Sequence, residues 1–347
     1  MLIFRQNRRH TAAFVGKHLF CTCVGTVRHA CMPLSSGVLR AAWNTQEGTP
    51  LGQDRLAASY GDANPLFRLC RHLGWGALVN LGYHTLPTLP GIVGGLAWFQ
   101  RRLETRSLAL LHVSPGHRVL DACCGRGHTT ARLAAAGCHA VGVDISADQI
   151  AQARARYGDA VRATFAVADV TDLPQTEGIR ATDGSFDRVL CLEAAFHLSP
   201  ADRRALLAEA FRVLRPGGRF VLVDFVWNTD DPPMIRQLDP LGLVREAWQF
   251  DEFEPLRRYL RHAEEMGFAL RRAVDWTRPV IEGFSRLGAL LTRMATNRAG
   301  RELLCLRWPD LREFSEQDWR HTLASVDAHR SVGRCTGYVA LVLDKPV

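Results

Sequence analysis

Val119-Leu120-Asp121-Ala122-Cys123-Cys124-Gly125-Arg126-Gly127 is the stretch on which the fold of this chain is decided. An apolar run over 117–120 reads as a short strand. Glycines at 125 and 127 then turn the chain, and an Ala/Leu helix follows over 129–136, ended by Gly137. Glycine lets a backbone approach a ligand with no Cβ in the way. A helix N-terminus behind such a turn offers free N–H groups to a carboxylate or phosphate. Strand, glycine turn and helix in this order open several kinds of cofactor site, a dinucleotide site among them.

Alternation of strand and helix continues outward from that stretch. Strands are predicted over 140–143, 163–167, 186–192 and 220–225, with helices over 147–157 and 201–214. Such alternation specifies a doubly wound, mostly parallel sheet, whose ligands sit at the carboxyl ends of the strands. Pro216-Gly217-Gly218 reads as the turn from helix to fifth strand. Strands over 270–274 and 338–343 bring the expected sheet to seven. Residues 226–262 and 280–330 read as helical insertions around them, carrying Trp227, Trp248, Phe250, Trp276, Phe284 and Trp308 as candidate core or pocket walls. Upstream, apolar spacing at Leu66-Phe67-Arg68-Leu69 and over 103–111 predicts a helical cap over 56–114. The expectation is an α/β, Rossmann-like domain over 115–347 with an N-terminal helical cap and C-terminal helical insertions.

Two further elements narrow the ligand. Asp144 ends the second strand after Val143 and lies where a carboxylate accepts hydrogen bonds from both ribose hydroxyls. Ser146 competes with it for the job of helix cap. The spacing from Gly125 to Asp144 also suits a nicotinamide dinucleotide. That fingerprint wants Gly or Ala three residues after Gly127, however, and Thr130 stands there. Ala168-Asp169-Val170, followed by Leu173-Pro174, places an acidic residue at the end of the third strand, where it can accept from an adenine amino group.

In these motifs, taken together and in this order, the chain from about residue 75 onward resembles the Class I S-adenosylmethionine-dependent methyltransferases. It is similar in particular to the small-molecule branch related to sterol, tocopherol and natural-product methyltransferases. Phe186-Asp187, Leu192-Glu193-Ala194-Ala195-Phe196-His197 and Val213-Leu214-Arg215-Pro216-Gly217-Gly218-Arg219 complete the pattern. Asn80-Leu81-Gly82-Tyr83 resembles the segment that closes over the cofactor in this branch. The resemblance implies that Asp121, Cys123, Gly125 and Gly127 line the methionine end of S-adenosylmethionine, with Asp144 and Ile145 at the ribose. It implies Asp169 and Val170 at the adenine, Glu193 in the same site, and Tyr83 closing it. Two departures stand out. Cys123 occupies a position where many relatives have glycine, and would be strained if that position needs positive φ. His84 stands where the branch often has an aromatic.

Methyl transfer is an in-line displacement, and alignment alone can supply roughly 7–11 kcal/mol of the barrier. A hydroxyl or an acidic carbon must also lose a proton. His197, with an unperturbed pKa of about 6.5, is the expected general base, and Asp224 and Glu193 are the other candidates. Glu193 and His197, four apart, can instead simply pair on one helical turn. O-methylation is favoured over C- or N-methylation, because a His base suits a hydroxyl. The acceptor is expected to be a fairly apolar small metabolite, as in natural-product biosynthesis. Competing readings are a cyclase that keeps the cofactor as a structural part and a NAD-dependent oxidoreductase; fold alone does not choose between them.

Composition fits a soluble globular protein: 347 residues, 47% hydrophobic and 22% charged. The net charge of +8 would suit a nucleic-acid partner. But residues 1–50 hold six Lys/Arg against one acidic residue, and the body is nearly balanced with no basic, aromatic-interleaved run. No nucleic-acid partner is expected. The basic leader, 1–55, reads as poorly ordered, with Met32 a second possible start. Its Cys21, Cys23, His29 and Cys31 are too compressed for the usual separated pairs of a structural zinc site, and no metal is expected. Ten irregularly spaced cysteines with no CxxC pair indicate a reducing cytoplasm. The stretch 78–99 lacks charge, but Pro87, Pro90 and glycines interrupt it. A cap over an apolar pocket is expected there, not a membrane span. A homodimer is compatible with this reading.

Overall fold

The computed structural model describes residues 64–75, 78–84, 95–174 and 179–347. The basic leader and its Cys21, Cys23, His29 and Cys31 lie outside these residues, as does most of 85–99 up to residue 94. Strand β1, Arg118–Ala122, sits at the centre of the sheet, between β2 (His139–Asp144) and β4 (Phe186–Leu192), and β3 (Ala163–Val167) lies beyond β2. On the other side of β4 come β5 (Leu214–Trp227), β8 (Thr336–Asp344) and β7 (Ala269–Asp275). Pairing is parallel from β3 to β5, while β8 runs antiparallel to both of its neighbours. The order 3-2-1-4-5-8-7 holds the seven expected strands. An eighth, the two-residue β6 (Glu254–Pro255), pairs with the end of β5. The sheet thus has eight strands instead of seven, because the first insertion returns briefly to the sheet edge.

Successive residues of the central strands feed opposite faces. Val119, Leu190, Val221 and Ala340 enter one core, and Leu120, Val189, Leu222 and Leu341 enter the other. The fifth strand is longer than its apolar run. It begins at Leu214, directly where its preceding helix ends. Leu214 pairs with Phe186 and Arg219 with Arg188, so residues 215–218 loop out as a bulge. Proline, two glycines and a positive φ at Gly217 make that bulge possible.

Helix α1 (Pro65–His72) is capped by the Asn64 side chain, with Pro65 in its first turn. Helix α2 (Leu96–Leu111) crosses the sheet. Helices α3 (His128–Ala135), α4 (Ala147–Tyr157) and α5 (Pro200–Val213) follow β1, β2 and β4. The first insertion holds α6 (Ile235–Leu238) and α7 (Leu243–Trp248), with α8 (Leu256–Glu265) after β6. The second holds α9 (Gly283–Ala295), α10 (Arg298–Arg307) and α11 (Glu316–Gly333). No helix among the described residues is long and apolar enough to cross a membrane.

One buried carboxylate ties α2 to the start of α3. Glu104 is fully buried and accepts from His128 Nδ1 at 2.7 Å, Thr129 Oγ1 at 2.9 Å and Arg132 Nη1 at 2.5 Å. Burial alone would raise its pKa, but the His128 and Arg132 hydrogen bonds win and hold it below the usual range. A depressed folded pKa contributes stability above the unfolded value of about 4.3 and loses it as pH falls through the folded value. Glu104→Gln is therefore expected to cost about 2 kcal/mol at pH 7. The difference from wild type should shrink below about pH 4.3. Thermal melts across that range check both statements, and a difference that grew on acidification would contradict them.

Candidate active site

The sheet order reverses beside β1, and a cleft of about 1090 Å³ opens there at the carboxyl ends of β1, β2 and β4. Its floor is the turn after β1. Cys123 has φ +62° and Gly125 φ +52°, so the non-glycine residue does carry backbone strain. A Cβ on Gly125 would meet nothing within 4 Å, which leaves its backbone open to the cleft. Gly127 differs. Its Cβ would strike Phe165 at 2.6 Å and Ala153 at 2.8 Å, so this glycine serves the packing of α3 against β3 and α4. The first turn of α3 has no side-chain cap, leaving its N–H groups to a ligand.

Asp144 ends β2. One carboxylate oxygen accepts from Gly125 N at 2.9 Å and the other from Ser146 N at 2.9 Å. Ser146 takes the cap of α4 by accepting from Gln149 N, which leaves Asp144 to organise the glycine turn. Burial pushes its pKa up against those two hydrogen bonds. Asp121 is buried under the turn and accepts from Thr130 Oγ1 at 2.6 Å, and burial pushes it up to about 7. Thr130, the residue that breaks the dinucleotide fingerprint, thus acts as the support for Asp121.

Beyond β4 the backbone turns through Glu193 at φ +49° into a single 3₁₀ turn over Ala195–His197. Glu193 does not pair with His197. Its carboxylate faces the cleft and accepts from Leu81 N at 3.0 Å and Tyr338 OH at 2.5 Å. His197 also lines the cleft; its Nδ1 lies 3.2 Å from Gln249 O and its ring packs on Phe196 at 4.0 Å. Burial pushes its pKa down to about 4, with the carbonyls of Gln249 and Trp248 opposing. It is a neutral imidazole over the physiological range.

Arg203 on α5, 1% exposed, holds this turn in place. It donates to Ala195 O and Phe196 O at 3.1 Å each, to Glu252 O, and to Glu254 Oε2 at 3.2 Å. The far wall is the segment 78–84. Gln100 on α2 donates to Leu78 O and Asn80 O at 2.9 Å each, and Gly82 lies so close to Phe99 that a Cβ would come within 2.7 Å of it.

The cleft therefore brings together Asp121, Cys123, Gly125, Asp144, Ile145, Glu193 and His197. The other expected site residues lie outside its lining. Tyr83 packs edge-on against Trp276 with the Arg106 guanidinium 4.2 Å over its ring. Asp169 is exposed, and one of its oxygens accepts from Thr171 N and Oγ1. Val170 is buried in the core beside it. Asp224 is buried under the sheet end, bonded at 2.9 Å to Tyr259 OH, and burial raises it to about 7. Its pairing with His197 is not formed. His84 is buried, stacked on Phe99 at 4.2 Å, and burial pushes its pKa down to about 4. Sequence reasoning missed Arg203, Gln100 and Tyr338, which carry no local motif.

A second cavity, of about 970 Å³, lies under both insertions. Leu81 and Phe196 line it, while their neighbours Asn80 and His197 line the cleft, so the two spaces meet at these two segments. Its wall is mainly apolar: Phe225, Trp248, Phe250, Phe253, Leu287 and Leu291 among others. Two polar members are already satisfied internally. His329 lies between Ser325 O at 2.6 Å and Trp248 Nε1 at 2.5 Å, and Thr336 Oγ1 donates to Val332 O.

The Methyltransferase domain family matches residues 119–218. The chain is 30% identical over 256 residues to the 27-O-demethylrifamycin SV methyltransferase of Amycolatopsis mediterranei (strain S699), covering 71% of this chain and 83% of that one. It is 33% identical over 193 residues to the O-methyltransferase cnsE of Penicillium expansum, covering 50% and 65%. Among solved structures, the [4+2]-cyclase SpnF superposes with a TM-score of 0.57 at 19% identity, over 82% of this chain and 93% of that one. That likeness is one of fold. The chain belongs to the Class I S-adenosylmethionine-dependent methyltransferases of the small-molecule type. It spans about half to two thirds of the length of several of the curated relatives it matches.

Proposed function

We propose that this protein transfers a methyl group from S-adenosylmethionine to a fairly apolar small metabolite, most readily at a hydroxyl oxygen. The observation that carries the proposal is the junction of two unlike spaces. A cleft rich in buried carboxylates and free backbone N–H groups meets an apolar chamber at Leu81 and Phe196, beside His197. The cleft suits the cofactor: Asp144 for the ribose hydroxyls, the α3 N-terminus for its carboxylate, and Asp121 and Glu193 for its positive charge. When bound, S-adenosylmethionine supplies a methyl group already activated on sulfur.

The protein's share is binding, alignment and one proton. The chamber takes the apolar body of the acceptor by removing it from water. His197, neutral and with Nδ1 on the Gln249 carbonyl, is placed to accept the hydroxyl proton, as a weak base because burial holds its pKa at about 4. The O-methyltransferase names among the relatives support an oxygen acceptor. Asp224, bonded to Tyr259, lies outside the cleft lining and braces the strand end.

His197→Ala is expected to lower kcat by about 100-fold or more while S-adenosylmethionine binds within about threefold of wild type, since a base adds little to ground-state binding. A loss in kcat under about threefold would remove His197 from the mechanism. Incubation with a panel of apolar hydroxylated acceptors tests the reaction itself. One S-adenosylhomocysteine should form per product carrying one added methyl. Turnover of acceptor with the cofactor unspent would identify a cyclase instead.

A further inference from the structure

We infer that Tyr338 is a positioning residue that fixes the Glu193 carboxylate in the cleft as the counter-charge of the cofactor's sulfonium, so that the charge on sulfur adds to the binding of the methylated cofactor and not to that of its spent, uncharged-sulfur product. This rests on the proposed cofactor reading of the cleft. Tyr338 stands on β8, opposite Phe225 of β5, and is fully buried. Its hydroxyl donates to Glu193 Oε1, 145 residues away in the chain. Its ring meets Phe225 edge-on at 5.2 Å, so the phenol is locked between the apolar chamber wall and the carboxylate.

Glu193 is held against cost. Its backbone is left-handed, its N–H is committed to Val223 O at 2.8 Å, and the residue is 7% exposed. An αL glutamate persists only where the surroundings over-determine it. Here those surroundings are two fixed donors, Tyr338 OH and Leu81 N–H, and neither is a cation. Burial pushes the carboxyl up to about 8, Tyr338 and Leu81 pull it back, and the Asp224 charge on β5 pushes it further up. With the carboxyl at about 8, Glu193 is mostly protonated at neutral pH, and neither donor brings it a positive charge. A cation entering the cleft supplies it, and a buried charge pair is worth most where water is excluded. S-adenosylmethionine and S-adenosylhomocysteine share ribose, adenine and amino-acid ends and differ by the charge on sulfur, so Glu193 is placed to distinguish them. Because the same carboxylate grips Leu81, whose side chain lines the acceptor chamber, loss of the sulfur charge also loosens the wall between the two spaces.

The test is titration of both cofactors into the full chain and into the Glu193→Gln and Tyr338→Phe variants. Glu193→Gln should weaken S-adenosylmethionine about 30-fold, and Tyr338→Phe about fivefold, with S-adenosylhomocysteine changed less than about twofold in each. A purely structural role would move both cofactors together, and equal losses for both, or an unchanged ratio in either variant, would overturn the inference. If Glu193→Gln does not fold, Tyr338→Phe alone decides it. If wild type binds neither cofactor, it is the underlying functional reading that falls.

Discussion

Asp144→Ala is expected to weaken S-adenosylmethionine binding about 100-fold with little change in melting temperature. The loss has two sources. The carboxylate would hold the ribose hydroxyls, and hydrogen bonds to a charged group contribute about 1.5–3 kcal/mol each. It also braces the glycine turn through Gly125 N. The small stability effect follows from the sign of its pKa shift. Burial raises Asp144 in the folded protein. A raised carboxyl means that the ionised form is less comfortable folded than unfolded, so at neutral pH its charge opposes folding. Removing it relieves that cost while giving up two backbone hydrogen bonds. Asp144→Asn, which keeps one acceptor oxygen, should fall between the two, near tenfold. Calorimetric titration and a thermal melt of the same samples read both quantities. Unchanged affinity in a folded Asp144→Ala protein would remove the cofactor from this cleft.

Arg203→Ala is expected to be the most destabilising single change at the site. It strips the Phe196 and Glu252 carbonyls of the Arg203 donor, leaves Ala195 O with only the Leu198 N–H, and leaves Glu254, 1% exposed, with only the half-exposed Arg258. Breaking a buried ion pair by removing one partner costs about 3–5 kcal/mol, a drop in Tm on the order of 10 °C for a domain of this size. Arg203→Lys should recover less than half of it, because an ammonium cannot reproduce a planar fork aimed at three oxygens and a carboxylate. Since Ala195 and Phe196 precede His197, the surviving folded fraction should also lose turnover. A drop in Tm below about 2 °C would contradict this assignment.

What the sequence revealed about this protein was what its local chemistry determines. The strand–glycine–helix unit around Gly125, Asp144 at the end of β2, and the antiparallel β7 and β8 are encoded in runs of a few residues, and each stands where it was expected within one or two positions. Contacts that join distant segments were not legible. Tyr338 sits in a predicted strand, but nothing in its neighbours announces Glu193. Arg203 sits in a predicted helix, but its carboxylate partner arrives from a strand two residues long. Tyr83 and Asp169 show the converse. A motif resemblance assigns them to the cofactor; in the structure Tyr83 packs against Trp276 and Arg106, and one oxygen of Asp169 accepts from the Thr171 hydroxyl and amide, contacts that no run of sequence near them announces. The extra strand β6 has the same origin, since a two-residue pairing leaves no periodicity to read.

Isothermal titration of S-adenosylmethionine into the full chain tests the central claim most directly. The expected result is one saturable site of micromolar affinity that Asp144→Ala weakens about 100-fold. Heat from a nicotinamide dinucleotide, with none from S-adenosylmethionine or S-adenosylhomocysteine on folded protein, would contradict it.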